Sequence, residues 1–171
     1  MKLRFALPFL ILTTFVPVFA QEPVVGVADP ESLFHSKDKK LDKNMQVVMH
    51  IMRDLLEANH WSDAPKYLSP RYLQHNPNVA SGLEPVMKFF GNNPNRPTTP
   101  IPDKNSWKTK VVAVTATGDY VTVAIAREYD DPRSPGKKYT STWFDMWRMM
   151  DGKADEHWDA ATIAPPNPTK K

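Results

Sequence analysis

The stretch Asp145-Met146-Trp147-Arg148-Met149-Met150-Asp151-Gly152-Lys153-Ala154-Asp155-Glu156-His157-Trp158-Asp159 decides how this chain is read. Asp151-Gly152 is a hairpin-turn signal between two strand-like arms. Successive side chains of an extended strand point to opposite faces. His157 and Asp159 therefore share one face, and Glu156 and Trp158 share the other. An imidazole beside a carboxylate is an acid/base pair if its face lines a cavity, and a polar surface if it does not.

Whether Asp145 joins that pair depends on the turn. A two-residue loop, Asp151-Gly152, pairs positions 150 and 153 and sets Asp145 opposite Trp158. A three-residue loop, Met150-Asp151-Gly152 with a left-handed Gly152, pairs 149 with 153 and sets Asp145 opposite His157, with Asp159 diagonal to it. A slip of one residue exchanges the faces. The three-residue loop is the favoured reading. It gathers Trp143, Asp145, Trp147, His157 and Asp159 on one face. Phe144, Met146, Arg148, Glu156 and Trp158 then form an outer face apolar enough for sheet packing in a dimer.

If the first face is enclosed, its chemistry follows. Apolar walls raise a carboxyl pKa, and a second carboxylate nearby raises one of the two further. One aspartate then holds a proton while the other stays ionised, and His157 relays a proton or pins one of them. Such a site suits proton abstraction next to a carbonyl, enolate chemistry or dehydration. The plainer alternative is an ordinary cross-strand polar pair. The spacing also permits a His/Asp/Asp metal site with His75 as a further ligand. Nothing else in the sequence favours that, and neither metal nor cofactor is expected.

Upstream of the hairpin the pattern changes twice. From Asp38 to about Asn59, Leu41, Met45, Val48, Met52 and Leu55 recur at three and four, predicting an amphipathic helix with a broad buried face. His50 lies among them as a packing residue. Ser62 or Asp63 caps a short second helix with Pro65 in its first turn. Arg71 to Asn76 alternates as a strand, with Tyr72, Gln74 and Asn76 on one face and Leu73 and His75 on the other. Gly82 to about Gly91 reads as a third helix. The proline-rich stretch 92–103 is a long loop of the kind that is often functional. Trp107 to Ala116 and Tyr120 to Tyr129 form a first hairpin across Thr117-Gly118-Asp119, and Tyr139 to Met149 with Lys153 to about Ile163 form the second. Helices followed by four antiparallel strands predict an α+β domain. A curved antiparallel sheet wrapped around the long N-terminal helix would enclose a cone-shaped pocket.

The first twenty residues read as a secretory signal: Lys2 and Arg4, an apolar run from Phe5 to Phe19, and small residues at positions 18 and 20. The run is short and broken by Pro8 and Pro17, which argues against a membrane span. The expected division is signal peptide 1–20, extended or disordered leader 21–37, domain 38–164 and flexible tail 165–171. The product would be exported, periplasmic or secreted, with no stable membrane anchor. The chain has 22 basic and 19 acidic residues. Two of the basic ones leave with the signal, so the mature protein is near neutral. That balance, and the acidic residues interrupting Lys37–Lys43, argue against nucleic acid as a partner. The absence of cysteine excludes disulfides, thiol catalysis and thiolate metal sites. There is no glycine-rich phosphate loop, nucleophile elbow or paired-histidine helix motif.

Tyr72-Leu73-Gln74-His75-Asn76-Pro77 with Gly82, then Thr117-Gly118-Asp119-Tyr120-Val121, Asp145-Met146-Trp147-Arg148 and Asp151 to Asp159 together resemble the SnoaL-like polyketide cyclase family. That family belongs to the nuclear-transport-factor-2-like superfamily, alongside the ketosteroid isomerases. The resemblance spans about Met45 to Ala164. It implies a curved sheet around a long helix, a homodimer through the outer sheet face, and cofactor-free acid/base closure of an aldol-type ring. Asp159 matches the catalytic aspartate of the last cavity strand. Asp145 stands where the cyclases carry a cavity histidine, so this chain has two carboxylates in place of one and an imidazole. His75 resembles a pocket-facing position.

Two functions are expected on this basis. One is an exported, metal-free cyclase, isomerase or dehydratase acting on a small hydrophobic carbonyl compound. Asp159 would be its acid/base, Asp145 the charge partner and His157 the relay, with His75, Trp61, Trp143 and Trp147 against the substrate. The alternative is a non-catalytic ligand-binding or protein-interaction module on the same fold.

Overall fold

The structure is a computed structural model that describes residues 22–163. The signal-like segment 1–20 and the tail 165–171 lie outside the described residues. Helix α1 (Lys39–His50) begins at Asp38, whose carboxylate accepts the backbone N–H groups of Lys40 and Leu41. It continues as a π-helical run, Ile51–Glu57, closed by a bond from Ala58 N–H to the Arg53 carbonyl five residues back. The expected single helix is thus two helical forms in series. Val48, Ile51, Met52 and Leu55 are all buried on its sheet-facing side. Short helices α2 (Ala64–Tyr67) and α3 (Leu83–Gly91) flank strand β1 (Leu68–Gln74). No described helix is long and apolar enough to cross a membrane.

Strands β2 (Lys110–Thr117), β3 (Tyr120–Asp130), β4 (Lys138–Met150) and β5 (Lys153–Asp159) complete one sheet in the order β1-β5-β4-β3-β2. The last four strands are antiparallel, as expected. The sheet as a whole is mixed, because β1 runs parallel to β5 with Gln74 opposite His157. A strand that precedes a helix and returns to the far edge can pair either way, and element order alone does not decide. The concave face carries Val111, Val121, Val123 and Trp147, which share one core cluster with Val48 of α1 and with Ile51, Met52 and Leu55 of the π-helical run; α1 itself lies against β2, β3 and β5.

Residues 22–37 are an ordered strap and part of the domain. Val27 N–H bonds the Val111 carbonyl at 2.8 Å, and Val24 N–H bonds Thr140 Oγ1 at 2.7 Å. After a 3-10 turn at Pro30–Leu33, Phe34 is fully buried in the core. Gly26 permits this docking, since a Cβ there would stand 2.7 Å from the Lys110 backbone. An apolar anchor and β-like bonding outweigh the leader's lack of periodicity.

The terminal hairpin overturns the expected register while keeping the expected faces. Met150 pairs with Lys153, so the loop is the two residues Asp151-Gly152, at φ of 51° and 74°. Positive φ at both central residues is the type I′ pattern that suits strand twist. Met149 then pairs with Ala154, but Arg148 pairs with Glu156. Asp155 is an extra residue on β5, a β-bulge. It shifts the register by one, so that Trp147 faces His157 and Asp145 faces Asp159. Without the bulge, alternation from Ala154 would send His157 and Asp159 outward.

Two buried carboxylates fasten this frame. Asp54 accepts Arg53 Nε at 2.8 Å, His50 Nδ1 at 2.9 Å and the Tyr67 hydroxyl at 3.0 Å. Asp155 accepts Arg71 Nη2 at 2.7 Å, Arg148 Nη2 at 2.9 Å and Ser69 Oγ at 2.9 Å. Burial alone would raise the Asp54 carboxyl, but the bonds from Arg53 and His50 outweigh it and hold it below its ordinary 3.8. Arg71 first, then Ser69 and Arg148, hold Asp155 below the same value against burial. Both groups bind protons less readily folded than unfolded. Their stabilisation is complete above the unfolded value and is lost as pH falls through the folded ones. The urea midpoint is expected to be level between about pH 6 and 5 and to fall steeply below about pH 4. A midpoint as high at about pH 3 as at pH 6 would contradict this linkage.

Candidate functional site

The concave face encloses a cavity of about 510 Å³ between the sheet and the helices. Its floor comes from the inward positions of β4 and β5. Asp145 and His157 are buried there, and Asp159 is half-buried beside them. The three residues each offer a ligand atom within 4.8 Å of the others. The trio would also suit a divalent cation that accepts mixed oxygen and nitrogen ligands.

Hydrogen bonds fix the geometry of this trio. Asp145 Oδ1 accepts Trp143 Nε1–H at 3.1 Å and lies 3.3 Å from His157 Nε2. His157 Nδ1 lies 2.7 Å from Gln74 Oε1. That oxygen also accepts the Asn76 backbone N–H at 3.1 Å, so it is an acceptor in both contacts. Nδ1 must then carry the donated proton. A neutral imidazole so oriented turns its Nε2 lone pair on Asp145, and the contact is attractive only with one more proton between the two atoms. Asp159 is held differently. Oδ2 accepts Asn76 Nδ2–H at 2.7 Å and Oδ1 accepts Ala161 N–H at 2.9 Å. Each oxygen keeps a lone pair for another donor.

The walls are aromatic and apolar. Trp61 lies against Phe90 with ring centroids 4.7 Å apart, and both line the cavity with Ile51, Met52 and Val86. Trp147, almost fully buried, donates Nε1–H to the Tyr72 hydroxyl at 3.0 Å. Burial pushes the Tyr72 phenol well above its ordinary value, so it stays an O–H. Trp143 forms part of the wall nearer the opening, with the Arg127 guanidinium 3.7 Å above its ring.

Of the residues singled out from sequence, Asp145, His157, Asp159, Trp61, Trp143 and Trp147 all meet at this cavity. His75 does not. It lies on the outer face, stacked on Trp158 at 5.0 Å and bonded to Glu156 at 2.8 Å. Strand alternation puts it opposite Gln74, and that periodicity prevails over the resemblance. Gln74, Asn76 and Tyr72 were missed as site residues, although their shared parity on β1 was visible. Arg127 was missed too. It continues the inward row Val121, Val123, Ile125, which alternation alone could have extended.

Neither a protein-family model nor a curated protein sequence matches the chain. Solved structures do match. A candidate polyketide cyclase from Acidithiobacillus ferrooxidans superposes with a TM-score of 0.50 at 16% identity, over 72% of this chain and 89% of that one. One from Bacillus cereus gives 0.49 at 15%, over 81% and 84%. An LEH-like epoxide hydrolase of Mycobacterium tuberculosis gives 0.49 at 12%, over 68% and 80%. At these identities the likeness is one of fold.

Proposed function

We propose that this chain, whose fold is that of the SnoaL-like, nuclear-transport-factor-2-like superfamily, transfers protons to and from carbon next to the carbonyl group of a small hydrophobic compound. The observation that carries this reading is the placement of Asp145, His157 and Asp159 around one point on the floor of an aromatic cavity. Ring closure of aldol type, isomerisation and dehydration all begin with that step.

Asp159 is the base. It is the more open of the two carboxylates, and two N–H donors hold it in place. A substrate C–H bond breaks toward one of its oxygens, and the electron pair becomes the C=C bond of an enol. The carbonyl oxygen takes the proton held between His157 and Asp145. In isomerisation the Asp159 proton returns to the far carbon of a conjugated enol, while the enol O–H gives its proton back to the His157–Asp145 pair. In ring closure the enol carbon attacks a second carbonyl, the enol O–H again returns its proton to that pair, and protonated Asp159 gives its proton to the new alkoxide. Gln74 positions the imidazole through Nδ1, and the Tyr72 hydroxyl is a second donor for the oxygen. Apolar walls keep bulk water from competing for these protons.

The test is solvent-deuterium incorporation at the α-carbon of cyclic aryl ketones such as 2-tetralone, followed by mass spectrometry. Incorporation above the buffer rate, and unchanged by EDTA, is expected. Incorporation lost to EDTA would reassign the trio to a metal. No incorporation across a panel of such ketones would leave a binding module. Residues 1–20 support export as part of the proposal, and an intact mass beginning at Gln21 checks it.

A further inference from the structure

Six arginines lie among the described residues. Arg53, Arg71, Arg133 and Arg148 each contact a carboxylate, at distances from 2.7 to 3.0 Å. The other two, Arg96 and Arg127, have no carboxylate within 4 Å among the described residues, and both line the cavity. Lys108 and Lys110, which line it as well, are equally without an acidic partner there. All four are exposed, whereas Asp145 and His157 are buried. The cavity is therefore polarised, with a cationic open end and an acidic floor.

The cations are also held in place. Arg127 pairs with Ser141, one inward step beyond Ile125 and Trp143. Its guanidinium lies flat on the Trp143 indole, so its N–H edges stay available. Arg96 is tied by its guanidinium to the Leu56 carbonyl. The loop that carries it is pinned to the end of the π-helical run by Thr99 N–H to the Ala58 carbonyl at 3.0 Å and by His60 Nε2 to the Thr99 carbonyl at 2.7 Å. Lys110 begins β2, opposite Ala126. The proline-rich loop is thus a fixed part of the rim. The indole beneath this guanidinium of Arg127 donates Nε1–H to Asp145 at 3.1 Å, so one aromatic ring separates the cationic rim from the acidic floor.

We propose that the natural ligand is an amphipathic carboxylate. Its carboxylate is received at the rim by Arg127 and Arg96, and its apolar body fills the aromatic middle of the cavity. This rests on the proton-transfer reading only for what happens at the far end, where the reacting carbon would sit over the acidic floor. A planar guanidinium matches a carboxylate with two parallel N–H bonds. Neighbouring lysines strengthen the attraction without fixing geometry. A neutral ketone of the same shape would leave that charge unanswered.

The experiment is calorimetric titration of the full mature chain with 2-naphthylacetate and with its uncharged amide. The acid is expected to bind about tenfold tighter or more at low ionic strength, with the preference shrinking as salt rises. Arg127→Gln should remove most of the preference and Arg96→Gln part of it. Affinity for the amide should fall far less than affinity for the acid in both variants, because the amide offers the guanidinium no charge to answer. Equal or tighter binding of the amide, a preference untouched in both variants, or no binding of either probe at millimolar concentration would overturn the proposal. An acid preference without deuterium incorporation into any ketone, charged or neutral, leaves the anion site standing and removes the catalysis. Incorporation into neutral ketones without an acid preference does the reverse.

Discussion

Asp159→Asn is expected to lower turnover by about 10²–10⁴-fold, the usual span for losing a general acid/base. The amide has no basic oxygen pair to take a carbon-bound proton. Its effect on folding is small by comparison. Two N–H donors, Asn76 Nδ2 and Ala161 N, now share one oxygen where they had two. One of them meets an NH2 group instead, which costs about 1–2 kcal/mol. Rate and thermal midpoint should be measured on the same sample. A folded variant with unchanged turnover removes Asp159 from the mechanism. A variant that loses activity only in proportion to its loss of folded protein does the same.

Asp155→Ala is expected to cost about 3 kcal/mol of stability, toward the lower end of what breaking a buried ion pair costs, because Arg71 can return to water. Arg148 cannot do so as readily. Its side chain is 27% exposed and keeps the Glu156 carboxylate at 2.7 Å, but its Nε is already buried without a partner among the described residues. The larger consequence is positional. Asp155 is the bulged residue, and Ser69, Arg71 and Arg148 hold it from three directions. Without them the hairpin can relax toward the register its two-residue turn prefers, which turns His157 and Asp159 outward. Ligand binding should therefore fall further than the loss of folded protein explains. Binding that tracks the folded fraction alone would show that the bulge holds without its carboxylate.

Much of the fold was legible because periodicity is local. The three-and-four spacing from Leu41 to Leu55 marked the long helix, and the two turns marked the four consecutive strands. The bulge was not legible. The partners of the bulged residue Asp155 include Arg71 and Ser69, 84 and 86 positions away, which no local pattern links to it. Two departures cancelled in the expected site. The loop is one residue shorter than expected and the strand carries one extra residue, so Asp145, His157 and Asp159 reach the same face by a different pairing. The docking of the leader left no signal for a different reason. Its order depends on one phenylalanine and a few backbone bonds to distant strands, and neither leaves a repeating pattern.

Alternation grouped Gln74 and Asn76 with Tyr72 and opposed them to His75. The resemblance marked His75 as a pocket-facing position. In the structure the two amides do the positioning, Gln74 on the imidazole and Asn76 on the carboxylate. Strand parity located the site better than residue type did.

The central claim is that Gln74 fixes the His157 tautomer so that a proton is held between His157 Nε2 and Asp145, beside the open carboxylate of Asp159. Nitrogen-15 NMR of the imidazole in the ligand-free protein at neutral pH tests it most directly. The account predicts a protonated Nδ1 and a hydrogen-bonded proton at the Nε2–Asp145 contact, with the Nδ1 signal altered in Gln74→Leu. An unprotonated Nδ1, with the single ring proton on Nε2, would contradict it.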